Sequence, residues 1–346
     1  MFVVHERTFQ WNRVIRFLVL VMATATLTLG KASAQTLFDP YVSFEMVNGS
    51  QLLMASGTGY NEARINGNLM EVWRGSNNNN VWMSINNGQA FTFSDALTYT
   101  TPTVIPYGSN GYMVLFTGTD NHIWYSFVGT DGSNPNRWYQ VSNNQTTGMP
   151  VAAAPMGGEG TTNVYVAYRG NGSDQQIYQT WYDGQSRTWS KSSLVGNIQS
   201  PSQPAVTYNI ATNQIVVAVQ GEDNQLWMNS QTLGARGWGG WWDAGVACFG
   251  PPALVSMPSG WMVTEALSDS NSDYTLGLFN SNSALKQTLD DSQAGYYGNT
   301  SALGIFFAHA ETVNLTTIGD QVWGLYDAPD SSDPQGKGEG IYHRVL

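Results

Sequence analysis

Charge is what this sequence has least of. Only 11% of its 346 residues are Asp, Glu, Lys or Arg, against roughly a quarter in an ordinary soluble domain. Surface helices need charged faces, so a helix bundle or a coiled coil is excluded. The charge that is present leans one way, to a formal net of −11 and an isoelectric point near 4.6. Nucleic acids and anionic membrane surfaces ask for clustered Lys and Arg, and the sequence holds no such cluster. Cysteine is almost absent as well. Cys248 stands alone, so no intramolecular disulfide forms, and no His neighbours it to make a thiol enzyme. It reads as a small buried apolar residue. Beyond residue 34 no run approaches the ~18 continuous apolar residues of a spanning helix. Beyond residue 34 the histidines, His122, His309 and His343, are too scattered to hold zinc. No cofactor or metal motif is complete.

The first 34 residues read as a leader. Arg7, Arg13 and Arg16 form a basic start, residues 17–30 are apolar, and Ala32-Ser33-Ala34 is a small-residue cleavage signature before Gln35. An uncut membrane anchor is the alternative. Cleavage predicts a single domain over 35–346, secreted or periplasmic and not inserted in a membrane. It removes Arg7, Arg13, Arg16, Lys31 and Glu6, leaving 10 basic and 24 acidic residues and a net charge of −14.

Aromatics, by contrast, make up 12% of the chain, and glycine occurs 37 times. They fall into a repeated phrase: an apolar strand, a polar turn with Gly and Asp or Asn, then an aromatic in a second strand. It occurs as Val72-Trp73-Arg74-Gly75 leading to Trp82, and as Phe116-Thr117-Gly118-Thr119-Asp120-Asn121-His122-Ile123-Trp124. It returns as Tyr168-Arg169-Gly170 leading to Tyr178, and as Gln220-Gly221-Glu222-Asp223-Asn224-Gln225-Leu226-Trp227. Fainter copies cover 261–276 and 313–323. Gly75, Gly118, Gly170 and Gly221 are separated by 43, 52 and 51 residues. After each hairpin come an aromatic segment and a short strand led by Pro102, Pro150, Pro204 or Pro252. Ser301 to Ile305 continues that series without Pro. Four strand-like runs in about 50 residues are what a propeller blade requires, since one such sheet buries its faces only against its neighbours. The reading is all-β: a β-propeller of six four-stranded blades, with seven as the alternative if the insert of about twenty residues between Met46 and Met70 belongs to a degenerate extra blade. Residues 41–46 read as the inner strand of the first unit. Small Ala and Val strands belong at the crowded axis, and bulky Trp farther out. Alternation in 164–168 and 215–219 reads as half-buried strands.

These phrases resemble blades of the bacterial fucose-binding propeller lectins and of tectonin-type propellers. Ile177-Tyr178-Gln179-Thr180-Trp181-Tyr182-Asp183-Gly184 resembles the corresponding strand of the six-bladed fungal-type fucose lectins. The resemblance covers roughly residues 70–260. It implies a carbohydrate-binding protein with several weak repeated pockets, aromatic faces stacking on sugar C–H groups and polar side chains meeting hydroxyls. Its partners would be glycans, fucosylated or otherwise neutral. The candidate residues are Trp82, Trp124, Tyr178 and Trp227 with Arg74, Asp120, Asn121, Arg169, Asp223 and Asn224. Fungal-type sites combine Arg, Glu and Trp, whereas the Arg of Arg74 and Arg169 is Thr117 and Gln220 in the sister blades. The same aromatics also fit as packing between blades, and the turn residues as turn formers.

Two other classes stay open. A propeller hydrolase would need axial carboxylates, for which Glu71, Glu222 and Glu265 are best placed; no catalytic residue is assigned. The string from Ser84 to Phe91 resembles the Asp-box turn of sialidase propellers, which is a structural hairpin. A scaffold for protein partners is the third class. Asp269-Ser270-Asn271-Ser272-Asp273 opens like a calcium loop, but Tyr274 and Asn280 replace the Gly and Glu it needs. Asp327, Asp330 and Asp333 read as a solvated loop.

Overall fold

The structure is a computed structural model. It describes residues 60–290, apart from 76–77, 87, 134–136, 143–144, 159, 268–273 and 281, together with 313–318, 321–329 and 339–345. All of these belong to one compact unit, Pro40–Leu346. Every regular element among them is a strand.

The strands form six antiparallel sheets in chain order. The first contains β1 (Tyr60–Ile65), β2 (Asn68–Arg74), β3 (Asn80–Ile85) and β4 (Phe91–Leu97). The second contains β5 (Thr103–Tyr107), β6 (Gly111–Thr117), β7 (Ile123–Gly129) and β8 (Tyr139–Gln140). In the third, β9 (Ala152–Pro155), β10 (Val164–Arg169), β11 (Gln176–Asp183) and β12 (Thr188–Trp189) are joined by β13 (Ser193–Gln199), which also pairs with β11. The fourth holds β14 (Ala205–Asn209), β15 (Gln214–Gln220), β16 (Gln225–Thr232) and β17 (Trp242–Ala247). The fifth holds β18 (Ala253–Ser256), β19 (Met262–Leu267), β20 (Tyr274–Phe279) and β21 (Leu285–Asp290). Three strands of the sixth are described: β22 (Val313–Ile318), β23 (Gln321–Pro329) and β24 (Glu339–Val345).

Each sheet is a meander, and its first strand lies beside the first strand of the next, from β1 through β5, β9 and β14 to β18. The β22 strand lies beside both β18 and β1. The innermost strands β1, β5, β9, β14 and β18 line a central cavity of about 790 Å³. Their composition follows from the crowding there: Ala152, Ala153 and Ala154, Ala205 and Val206, Ala253 and Leu254. Pro102, Pro150, Pro204 and Pro252 stand at the entrances to β5, β9, β14 and β18. A residue without an N–H fits where a strand has no further partner.

The first sheet begins differently from the sequence reading. Its innermost described strand is β1, hydrogen-bonded to β2 through Ile65↔Asn68 and Tyr60↔Trp73. The segment 41–46, which the sequence pattern assigns to that place, lies outside the described residues, as do 301–305 and the leader.

The second strands also differ from expectation. Every residue of β10 is buried, as are Ile215 to Gln220 of β15. These strands are not half-buried, because the third and fourth sheets carry a core on both faces and an alternating pattern there has no exposed side to mark. The cores lie between sheets. One cluster joins Met70, Val72 and Met83 of the first sheet to Tyr112, Val114 and Phe116 of the second. Others join the second sheet to the third, the third to the fourth and the fourth to the fifth. Cys248 is fully buried in the last of these, and burial pushes its thiol up to about 12. It behaves as the small apolar residue expected.

Candidate functional site

The hairpins β2–β3, β6–β7, β10–β11 and β15–β16 are built alike. At each, a glycine N–H closes the turn on a carbonyl across it: Gly75 on Asn80 (2.9 Å), Gly118 on His122 (2.8 Å), Gly170 on Gln176 (3.0 Å) and Gly221 on Gln225 (2.8 Å). A side chain then caps the turn. Asp120 Oδ1 accepts the backbone N–H of His122 at 3.0 Å, and Asp223 Oδ1 that of Gln225 at 3.1 Å. Asp174 and Asn78 do the same for Gln176 and Asn80, each at 3.1 Å.

The aromatic of the following strand completes the motif. Trp124 Nε1 donates to both Asp120 oxygens, at 3.1 and 3.3 Å. Trp227 Nε1 donates to both oxygens of Asp223, at 3.1 and 3.2 Å. In the third sheet the Tyr178 hydroxyl donates to Asp174 Oδ2 at 3.0 Å, and in the first Trp82 Nε1 reaches Asn78 Oδ1 at 3.4 Å. Burial, followed by the Asp174 carboxylate, raises the Tyr178 phenol above its ordinary value.

The turn glycines are required by this arrangement. A Cβ on Gly118 would stand 2.5 Å from Asp120 Oδ1 and 2.8 Å from the Trp124 indole. On Gly221 it would stand 2.4 Å from Asp223 Oδ1 and 2.5 Å from Trp227. The aromatic therefore lies over the glycine, with its polar edge held by the acid. All four rings are half-buried, and three of them also pack on an intersheet core: Trp124 on the first–second, Tyr178 on the second–third and Trp227 on the third–fourth.

The other candidates divide. Asn121 (φ 63°) and Asn224 (φ 58°) hold the left-handed position of their turns, which Asn tolerates better than most residues. Asn224 Oδ1 also accepts from Gln220 Nε2 at 3.1 Å. Arg74 is fixed by Asn79 Oδ1, at 3.1 Å from Nε and 2.8 Å from Nη2, and by the Tyr99 carbonyl at 3.1 Å. Arg169 is buried and donates through Nε to the Ser200 carbonyl at 2.7 Å. The sister residue Thr117 binds the Met149 carbonyl at 2.6 Å. This repeat position thus anchors the segment that leads out of the sheet. The structure brings each aromatic to an acid or amide of its own turn; each of the four constellations is local to one sheet.

Asn78 and Asp174 serve as Asp120 and Asp223 do, Asp174 in the turn-forming role that the sequence pattern already gives it. One set of residues escapes the sequence reading. Two positions after each aromatic, Ser84, Ser126, Thr180 and Asn229 tie the third strand to the segment that follows it. Ser84 Oγ donates to Gly88 O (3.2 Å), Ser126 Oγ to Arg137 O (2.9 Å) and Thr180 Oγ1 to Ser190 O (3.0 Å), while Asn229 Oδ1 accepts from Gly240 N (3.1 Å). The sequence signal for them is a small polar residue at a fixed offset from an aromatic in four units. The Asp-box-like string begins with one of these, Ser84. Of the carboxylates weighed for hydrolysis, Glu71 is fully buried opposite Glu62, and Glu222 is exposed on a turn of the fourth sheet. Asp269, Asn271, Asp273, Asp330 and Asp333 lie outside the described residues.

No family model matches the chain, and no curated protein matches it. Solved structures do. The lectin of Aleuria aurantia, described as a six-bladed β-propeller with a novel fucose recognition mode, is 13% identical over 83% of this chain and 94% of that one, with a TM-score of 0.52. AofleA from Arthrobotrys oligospora is 9% identical over 88% of this chain and 86% of that one, with a TM-score of 0.58. The SapL1 lectin in complex with alpha methyl fucoside is 14% identical over 86% and 99%, with a TM-score of 0.56.

This chain has the six-bladed propeller fold. The likeness is one of fold, and it orders the turns in space. Because every blade of the propeller is a meander entered in the same sense, the four glycine turns share one end, and the first-to-second and third-to-fourth strand connections share the other.

Proposed function

We propose that the protein is a secreted lectin that binds neutral saccharides, fucosylated ones among them, at weak repeated sites beside the glycine turns. The observation that carries this reading is the recurrence, in four successive blades, of one half-buried aromatic held by a polar side chain at one end of the ring. A pyranose has a C–H face suited to such a ring and hydroxyls suited to the acid or amide beside it. Neighbours with the same fold carry lectin and fucoside descriptions, which supports the choice of ligand class. One monosaccharide covers little area, so a single site binds weakly. Several sites on a rigid ring raise avidity on a glycan surface by roughly 10² or more where the spacing matches.

The test is a glycan array with the purified secreted protein, followed by Trp124→Ala and Asp120→Ala with binding and thermal stability measured together. Weaker avidity for a neutral glycan with the fold retained is the expected result. If Trp124→Ala unfolds the protein while Asp120→Ala leaves binding intact, the ring is packing alone and the site assignment is wrong. Sequencing of the exported chain should find Gln35 first.

A further inference from the structure

At the opposite end of the propeller, the seam between blades two and three carries a row of aromatics that the glycine turns do not use. Tyr107 and Phe127 lie 4.5 Å apart between ring centroids. Tyr182, from the next blade, lies 5.7 Å from Phe127 and 6.2 Å from Tyr107. Farther out, Tyr139 is 43% exposed, and Tyr107 and Phe127 are half-buried.

Two arginines flank this row. Arg137 is exposed and holds its guanidinium carbon 5.4 Å from the centre of the Tyr139 ring. Arg187 is exposed in the tight turn that pairs Asp183 with Thr188, next to Tyr182 in the ladder, with a left-handed φ of 57°. Cations are scarce in this chain, and others are committed: Arg64 to Glu62 at 3.6 Å, Arg74 and Arg169 to the groups described above. Among the described residues, neither Arg137 nor Arg187 has an ion-pair partner. In a protein of net charge −11, two uncommitted guanidinium groups beside one aromatic row call for an anion that also has an apolar face. A polyphosphate chain offers no such face to the row.

We propose that this seam binds an acidic saccharide, a chain bearing uronate carboxylates. The pyranose C–H faces rest on the row, and each guanidinium takes a carboxylate through paired N–H donors. The inference rests on the carbohydrate-binding reading above but concerns a separate end of the molecule.

Calorimetry with oligogalacturonate, a sulfated neutral-backbone oligosaccharide and methyl fucoside tests it. Oligogalacturonate should bind, and Arg137→Gln and Arg187→Gln should each weaken it about tenfold while methyl fucoside binding stays unchanged. Arg137→Lys, which keeps the charge and loses the paired donors, should weaken it too. Full binding by Arg137→Lys, or equal binding of the sulfated oligosaccharide, would reduce the effect to bulk attraction and overturn the proposal. Fucoside binding without oligogalacturonate binding would overturn it alone. Binding of no saccharide would overturn the lectin reading with it.

Discussion

Gly118 shows how one hydrogen atom decides a local structure. Its backbone is not left-handed, so alanine is excluded there only by what lies above it, the Asp120 carboxylate and the Trp124 indole. Gly118→Ala should destabilise the protein by about 1–3 kcal/mol, because the bonded pair must move together. Gly234 is the contrast: nothing lies within 4 Å of its would-be Cβ, but its φ is +83°. Gly234→Ala should cost about 1 kcal/mol through the backbone alone. Denaturant midpoints of the two variants, each measured again with Asp120→Ala, separate the causes. Removing the carboxylate should relieve part of the Gly118→Ala loss and none of the Gly234→Ala loss. Equal behaviour in both backgrounds would mean that the indole and not the acid sets the limit. The bond between Asp120 and Trp124 is not legible in the sequence. A strand pattern reports which face a residue takes, whereas this contact joins a turn residue to one four positions later on the next strand. The repeat singles out both Asp120 and Trp124, but as two groups meeting one ligand. The structure shows them meeting each other.

The blade is the element that matters, and its strands differ in what they reveal. Pro102, Pro150, Pro204 and Pro252 mark the innermost strands correctly, because a missing N–H and small side chains are local properties of the sequence. The second strands look alternating and are buried throughout. In Val164-Tyr165-Val166-Ala167-Tyr168 the tyrosines face opposite neighbours through hydroxyls that find partners: Tyr165 donates to Gln179 Oε1 at 2.9 Å, and Tyr168 pairs with Ser192. A buried tyrosine and an exposed one read alike in one sequence. The start of the first blade is harder to place because the segment 41–46 has a strand-like pattern of its own and periodicity does not rank two candidates for one position. Where burial is complete on both faces, truncation leaves a cavity. Leu115→Ala in β6, at a fully buried site of the second–third core, should cost about 2–5 kcal/mol. Ser126→Ala removes one hydrogen bond to the Arg137 carbonyl and should cost about 1 kcal/mol. Equilibrium urea unfolding of both variants checks the ratio; a Ser126 variant as damaged as the Leu115 one would show that the strand-tying bond matters as much as the packing between blades.

At the scale of the whole molecule, no disulfide helps, and each core belongs to two blades at once. Stability is then a sum over seams, and the tyrosines buried in them make it depend on alkali. Burial lifts the phenols of Tyr112 and Tyr168 from 10.0 to about 12, against the opposing pull of Arg64 on the first and of the Ser192 hydrogen bond on the second. The neutral phenol is the form that the fold favours. Its contribution is complete below pH 10, the unfolded value, and is lost as the pH rises toward about 12. Denaturant midpoints should hold level up to pH 10 and fall beyond it, with the phenolate absorbance of these two residues appearing only as the protein unfolds; Tyr112→Phe and Tyr168→Phe identify their share of the signal, and its presence at pH 10 in folded protein would contradict the expectation. The innermost strands carry one more implication. Pro106 lies within β5 and Pro155 within β9, on edges that face the central cavity. An exposed edge is a template for another chain to add itself as a strand, and a proline there withholds the donor such an addition needs. At these two strands the bore is therefore guarded against the addition of a further strand from within.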